Sequence, residues 1–227
     1  MLPRQHDAVT REVRLPPLSL PGMLHIPESP SGLVIFAHGS GSSRLSPRNM
    51  AVAEALNESG FATLLFDLLT PVEEDANHRA KVFDIPLLAE RLAHAVHWSN
   101  EQQDLWRLPI GLFGASTGAA AALVVAAKLG DSVAAVVSRG GRPDLAGDAL
   151  RAVRSPTLLI VGGADYGVIE LNEAAFAELR CPKDLIVIPD ATHLFPEEGA
   201  LQQVIRHTET WFQRHFPVEP SAGRDQE

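Results

Sequence analysis

The sequence of 227 residues holds one cysteine, Cys181, so an intrachain disulfide cannot form and a cysteine-rich zinc site is excluded. Beside Pro182 and away from the glycine-rich turns, Cys181 reads as a packing residue. Positive charge is also sparse. Nineteen Lys and Arg against 28 Asp and Glu leave a formal charge of -9, and the basic residues are scattered rather than striped. That excludes the electrostatic footprint of a nucleic-acid binder and makes an anionic membrane surface a poor partner. The first seventeen residues carry Arg4, Asp7, Arg11, Glu12 and Arg14 and lack an apolar run, so they do not read as a secretory signal, and a reducing cytoplasm is the expected location. One stretch imitates a membrane span. Ile110 to Leu129 is nearly all apolar or small and contains Gly114-x-x-x-Gly118. Strand-forming residues before Ser116-Thr117 and helix formers after it give the better reading, a strand and a buried helix joined by a turn.

What is present is an alternation. Apolar runs at Leu33–Ala37, Phe61–Phe66, Pro109–Phe113, Val133–Val137, Thr157–Val161 and Leu185–Ile188 are separated by helical patterns. Such alternation predicts a mostly parallel sheet of about seven or eight strands with helices on both faces. Residues 10–27, broken by Pro16-Pro17 and Pro21-Gly22, read as an edge hairpin. Ser46-Pro47 and Asp84 are expected to start two helices, and Pro71 to Val82 reads as a loop over the sheet edge. The whole is expected to be a single domain over 1–216, with 217–227 a tail without fixed structure.

In a sheet of this kind, ligands sit beyond the carboxyl ends of the strands. The chemically suggestive segments all follow strands: His38 to Ser43, Asp67, Ser116, Arg139, Asp165 and His193. In Gly114-Ala115-Ser116-Thr117-Gly118 the serine falls on a sharp strand-to-helix turn that pushes its hydroxyl above the sheet edge. A serine nucleophile needs a base, and the base needs a carboxylate to hold its tautomer. His193 and Asp165 supply both, in the chain order Ser, Asp, His. Asp190, nearer to His193 in sequence, precedes the turn and is second choice, with Asp67 in reserve. An oxyanion needs two backbone N–H donors. Thr117, next to the nucleophile, supplies one, and Ser40 is the choice for the other, with Gly41 beside it. His38 is expected to brace its own loop, and His94, His97, His207 and His215, in helical stretches, to be structural.

Gly39-Ser40-Gly41 after a strand also raises a dinucleotide site, but Arg44 stands where the third glycine should be and Ser46-Pro47 delays the helix. Gly41, Arg44, His78 and Arg139 fall on the same face as Ser116 as candidate substrate contacts, with Arg48, Arg79 and Arg142 near them. Solvated loop charge is the plainer reading of these arginines.

With His38-Gly39-Ser40-Gly41, Gly114 to Gly118, Gly162-Gly163-Ala164-Asp165 and Thr192-His193-Leu194-Phe195 in view, the chain resembles the serine α/β-hydrolase superfamily, and within it the dienelactone-hydrolase-like group, over about residues 10–216. The resemblance implies acyl transfer to water through an acyl-enzyme, without metal or organic cofactor. It departs at one point. Dienelactone hydrolases carry a cysteine nucleophile where this chain has Ser116, so their lactone substrate is not carried over. No large insertion follows Val137, so no lid is expected and the site should favour small substrates. The expected activity is cleavage of an ester or related acyl bond. Thioesterase, amidase or peroxidase-like acyl transfer is the alternative on the same residues, and a catalytically silent binding or regulatory module is the non-enzymatic one.

Overall fold

The computed structural model describes residues 8–74 and 76–217, with the side chains of 76–79 outside the description. The expected tail falls almost wholly outside it. The strands are β1 (Val9–Leu15), β2 (Leu20–Ile26), β3 (Leu33–Ala37), β4 (Ala62–Phe66), β5 (Ile110–Ala115), β6 (Ala135–Arg139), β7 (Thr157–Gly162) and β8 (Lys183–Ile188). They form one eight-stranded sheet in the order β1-β2-β4-β3-β5-β6-β7-β8. β1 and β2 are the expected hairpin, β2 pairs antiparallel with β4, and every later pairing is parallel.

The helices are α1 (Pro47–Glu58), α2 (Pro71–Glu74), α3 (Ile85–Glu101), α4 (Thr117–Leu129), α5 (Val168–Glu178) and α6 (Ala200–His215). On one face of the sheet Val52 and Leu56 of α1 and Val204, Trp211 and Phe212 of α6 pack with Phe36 and Phe113. On the other, Leu88 and Leu92 of α3 and Leu123 and Val125 of α4 pack with Ile35, Leu64 and Leu112. Burying a side chain of this size contributes roughly 1.5–3 kcal/mol, so the two layers together fix the sheet that carries the site. α4 is buried from Thr117 to Leu123, which explains its run of alanines: small side chains let it lie close between the sheet and its neighbours. Ser46 caps α1 by accepting from the Asn49 N–H at 3.5 Å, and Asp84 caps α3 by accepting from Leu87 at 3.1 Å. Both were expected from the sequence.

Two expectations are corrected. The stretch from Pro71 is not a bare loop: α2 is followed by a 3-10 segment, Ala76–Phe83. The reason is a capping box at Thr70-Pro71-Val72-Glu73, in which the Thr70 N–H donates to Glu73 Oε2 at 2.9 Å and the Glu73 N–H donates to Thr70 Oγ1 at 3.4 Å. β6 also runs two residues later than the apolar run suggested, because a 3-10 turn at Gly130–Ser132 uses Val133 as its cap. Arg139 therefore ends a buried strand instead of opening a loop. Between β6 and β7 stand only 3-10 turns over Pro143–Ala152, broken at Gly147, and no helical lid.

Candidate active site

The turn between β5 and α4 holds Ser116 at φ 52°, ψ -122°, a conformation that side-chain-bearing residues seldom adopt. Strain of this kind costs about 1–3 kcal/mol and persists only where the surroundings enforce it. Here they do. The Ser116 N–H donates to the Arg139 carbonyl at 3.4 Å, and the Ser116 carbonyl accepts from Arg142 at 3.0 Å and Ala119 at 3.1 Å. Two glycines make the approach possible. A Cβ on Gly118 would lie 2.1 Å from the Ala37 carbonyl oxygen, so only glycine lets α4 start against the end of β3. A Cβ on Gly39 would lie 2.7 Å from the Ser116 Cβ, which places the 39–43 loop directly over the serine.

β7 and β8 deliver the other two residues. Asp165 follows β7 and His193 follows β8, and His193 Nδ1 lies 2.7 Å from Asp165 Oδ2. Only an N–H can donate to a carboxylate, so Nδ1 carries the proton and Nε2 is left with a lone pair. The Asp165 side chain is 11% exposed, that of His193 38%. Asp190, the rival partner, sits exposed in the turn after β8 at φ 58°. Ser116 and His193 open onto one cavity of about 450 Å³, whose floor and rim include Gly39, Ser40, Gly41 and Leu194.

The Ser40 N–H is engaged: it donates to the Thr117 hydroxyl at 3.1 Å. Thr117 itself is 2% exposed. Ser40, the expected second oxyanion donor with Gly41 beside it, thus has the hydroxyl of the residue after Ser116 as an acceptor for that N–H. Gly41 lines the cavity at φ 67°. His38 does brace its loop. Its Nε2 accepts from the Leu68 N–H at 3.0 Å, which leaves Nδ1–H to donate to the Gly39 carbonyl at 3.0 Å. Burial holds the His38 pKa below the usual histidine value, against the opposing pull of the Gly39 carbonyl and Asp67.

The arginines divide. Arg44 is tied to Asp67 through both its backbone N–H, at 2.7 Å, and its guanidinium, at 2.5 Å, and it lines a separate cavity beside Met23 and Met50. Arg44, a candidate substrate contact from the sequence, is not among the residues lining the Ser116 cavity. Arg142 forms a two-pronged pair with Asp144, both bonds at 2.8 Å. The side chain of His78 lies outside the described residues. Arg139, read from sequence as a candidate substrate contact with solvated loop charge as the plainer alternative, is 6% exposed and lines the Ser116 cavity together with Arg48. Its burial was hidden from sequence by the two-residue offset of β6. Among the described residues no cluster of three or more His, Cys, Asp or Glu side chains is placed to hold a metal ion.

A mostly parallel eight-stranded sheet, with a strained serine turn after β5 and an acid and a histidine after β7 and β8, defines the α/β-hydrolase fold. The chain belongs to the dienelactone hydrolase family, whose family model matches residues 20–216. A crystal structure of a dienelactone hydrolase from Anabaena variabilis is similar at 50% identity and a TM-score of 0.88, covering 94% of this chain and 100% of that one. A serine hydrolase from Xanthomonas campestris described as lacking a lid shares the fold at 20% identity and a TM-score of 0.71, covering 97% of this chain and 99% of its own. Two Mycobacterium tuberculosis proteins, from strains CDC 1551 and H37Rv and named provisionally as phosphoribosyl transferases, are 58% identical over 200 residues, 88% of this chain. This chain spans 45% of their length. Family and fold are those of a hydrolase acting on a small molecule, and among the described residues no helix is long and apolar enough to cross a membrane.

Proposed function

We propose that the chain is a serine hydrolase that cleaves an ester or related acyl bond of a small substrate through an acyl-enzyme. The observation that carries this reading is the 2.7 Å contact of His193 Nδ1 with Asp165 Oδ2, in a cavity that Ser116 shares with His193. Ser116 Oγ attacks the acyl carbon while His193 Nε2 takes its proton, and the imidazolium that forms is held by Asp165. His193 then returns the proton to the leaving group, and water repeats the sequence to release the acid. The Thr117 N–H faces the developing oxyanion. The second donor comes from the 39–41 loop, by Ser40 sharing its N–H between the oxyanion and Thr117 Oγ1 or by Gly41. Proteins of this family that use cysteine gain a softer nucleophile; a serine here favours oxygen esters and raises dependence on the His193–Asp165 pair.

Labelling with a fluorophosphonate probe tests the reading. Intact protein should be modified at Ser116, found by peptide mass spectrometry, and the Ser116→Ala variant should not react. Folded protein that resists the probe overturns it. The relatives at 58% identity are named for phosphoribosyl transfer, and this chain spans 45% of their length, so a transferase is the second reading only for an activity that lies in the shared part. Ester cleavage without phosphoribosyl transfer decides for the first, and the reverse result for the second.

A further inference from the structure

Arg139 sits at the carboxyl end of β6, beside the serine turn whose Ser116 N–H its own carbonyl accepts. It is a charged group buried beside the site, and among the described residues no carboxylate pairs with it. Its Nε and Nη1 are buried without a hydrogen-bond partner among the described residues, and so is Nε of Arg48. The carboxylates nearby are committed elsewhere: Asp165 to His193, Asp67 to Arg44 and Asp144 to Arg142. Among the described residues no Asp or Glu lines the cavity. Burial and the charge of Arg48 pull the Arg139 pKa down to about 10, so it stays protonated at neutral pH and the two arginines repel one another. A buried guanidinium left in that state is costly, and proteins keep such groups where a ligand completes them.

A third positive element meets the pair. The cap and first residues of the twelve-residue helix α1, Ser46 and Pro47, line the same cavity, with Arg48 in the first turn. A helix N-terminus adds roughly half a positive charge; Pro47 has no N–H and the Asn49 N–H goes to the Ser46 cap, so what α1 contributes here is its dipole. Two guanidiniums and a helix end sum to about +2.5, which a carboxylate at -1 leaves far from neutral and a phosphate monoester, at about -1.5 to -2, nearly balances. The hydroxyls of Ser42 and Ser43 on the rim supply further donors for a group with three terminal oxygens.

We propose that Arg139 and Arg48 form an anion subsite beside Ser116 that holds a phosphate monoester group carried by the acyl substrate. This rests on the hydrolase reading for the position of the scissile bond, while the anion site itself rests on the arginines. The phosphate stays intact in the reaction; it anchors the substrate so that the acyl carbon reaches Ser116 Oγ.

The test compares matched aryl esters whose acyl chains end in methyl, carboxylate or phosphate, together with calorimetric binding of inorganic phosphate to the intact protein. The phosphate-bearing ester should exceed the methyl ester roughly 10- to 100-fold in kcat/KM, mostly through KM, as expected for bonds to charged groups. In Arg139→Gln and in Arg48→Gln that ratio should fall toward one. Arg48 is half-buried, so its variant keeps the test valid if Arg139→Gln does not fold. Inorganic phosphate should bind the wild type saturably and the folded variants at least tenfold more weakly. Equal kcat/KM for the three esters, or a preference that survives both substitutions, overturns the proposal while leaving the hydrolase reading in place. A preference for the carboxylate ester over the phosphate ester overturns the assignment of phosphate. Arginine-dependent phosphate binding without cleavage of any ester supports the subsite and removes the hydrolase reading.

Discussion

His193 Nδ1 stands 2.7 Å from Asp165 Oδ2, a contact between residues 28 positions apart that the parallel pairing of β7 with β8 brings together. The carboxylate accepts from Nδ1–H, so it fixes the tautomer as well as the ring plane, and its near-complete burial keeps water from competing. An asparagine there can offer its NH₂ to Nδ1 and so invert the tautomer, placing the proton on Nε2, where a base is needed. Asp165→Asn should therefore lower kcat by about 10⁴-fold with a native circular dichroism spectrum. Asp190→Asn should change kcat less than about twofold, since Asp190 is exposed in its turn. A large loss in the second variant and a small one in the first would exchange their roles.

The conformation of Ser116 predicts opposed effects of two substitutions on stability. At φ 52°, ψ -122° any residue with a Cβ is strained, so Ser116→Ala keeps the strain and loses the hydroxyl. Ser116→Gly removes both. Either should reduce turnover of an aryl ester by roughly 10⁴- to 10⁶-fold if the three residues act as a unit. Only the glycine variant should gain stability, by about 1 kcal/mol after the entropy of its unfolded chain is subtracted. Urea midpoints of the three proteins measure the difference, and an alanine variant as stabilised as the glycine one would remove the strain argument.

Gly118 and Gly39 are both tight, against different neighbours. The Cβ of Gly118→Ala would meet backbone, the Ala37 carbonyl oxygen at 2.1 Å and the His38 carbonyl oxygen at 2.6 Å, and backbone between two packed layers cannot move aside. That variant should lose more than about 3 kcal/mol or fail to fold. In Gly39→Ala the new methyl would press chiefly on the Ser116 Cβ at 2.7 Å, with the Ala115 carbonyl oxygen less tightly met at 3.0 Å. Its stability should fall less, by about 1–2 kcal/mol, while a displaced nucleophile costs roughly 10²-fold in kcat. Thermal melts and ester turnover on both variants separate the two effects.

The parts of this site that were legible in the sequence are those that a few adjacent residues encode. Ser116 is marked by its flanking glycines and by the switch from strand to helix, and Ser46 and Asp84 by cap chemistry. Asp165 is favoured over Asp190 because it follows the strand before the histidine's own, a topological reason rather than a local one. What the sequence hid depends on register and on contacts between distant segments. Arg139 looks solvated until β6 is seen to start at Ala135. Its burial follows from that offset. The engagement of the Ser40 N–H by Thr117 joins a loop to the start of α4, 77 residues away, and the pairing of Arg44 with Asp67 spans 23. Thr70 to Glu73 is the exception, a local capping box masked in the sequence by the polar composition around it.

His38 ties the 39–41 loop to the chain after β4, and it can do so only while neutral. Nε2 must accept from the Leu68 N–H while Nδ1–H donates to Gly39, a pattern that protonation of Nε2 destroys. Burial accordingly lowers its pKa in the folded protein from the ordinary 6.5. The unfolded chain then binds the proton at higher pH than the folded one, so stability rises with pH wherever the two differ. Above the unfolded value both forms are neutral and the contribution is complete. As pH falls below 6.5 it is lost progressively, by at most about 1.4 kcal/mol per pH unit for one proton, until the folded form protonates too. Urea midpoints measured from pH 8 to pH 5 should fall, and His38→Asn, less stable throughout, should fall less steeply over the same range. Since the loop closes over Ser116, turnover of a neutral ester should decline in parallel with the acid-side loss of stability. Equal slopes in wild type and variant would show that the acid sensitivity arises at another group.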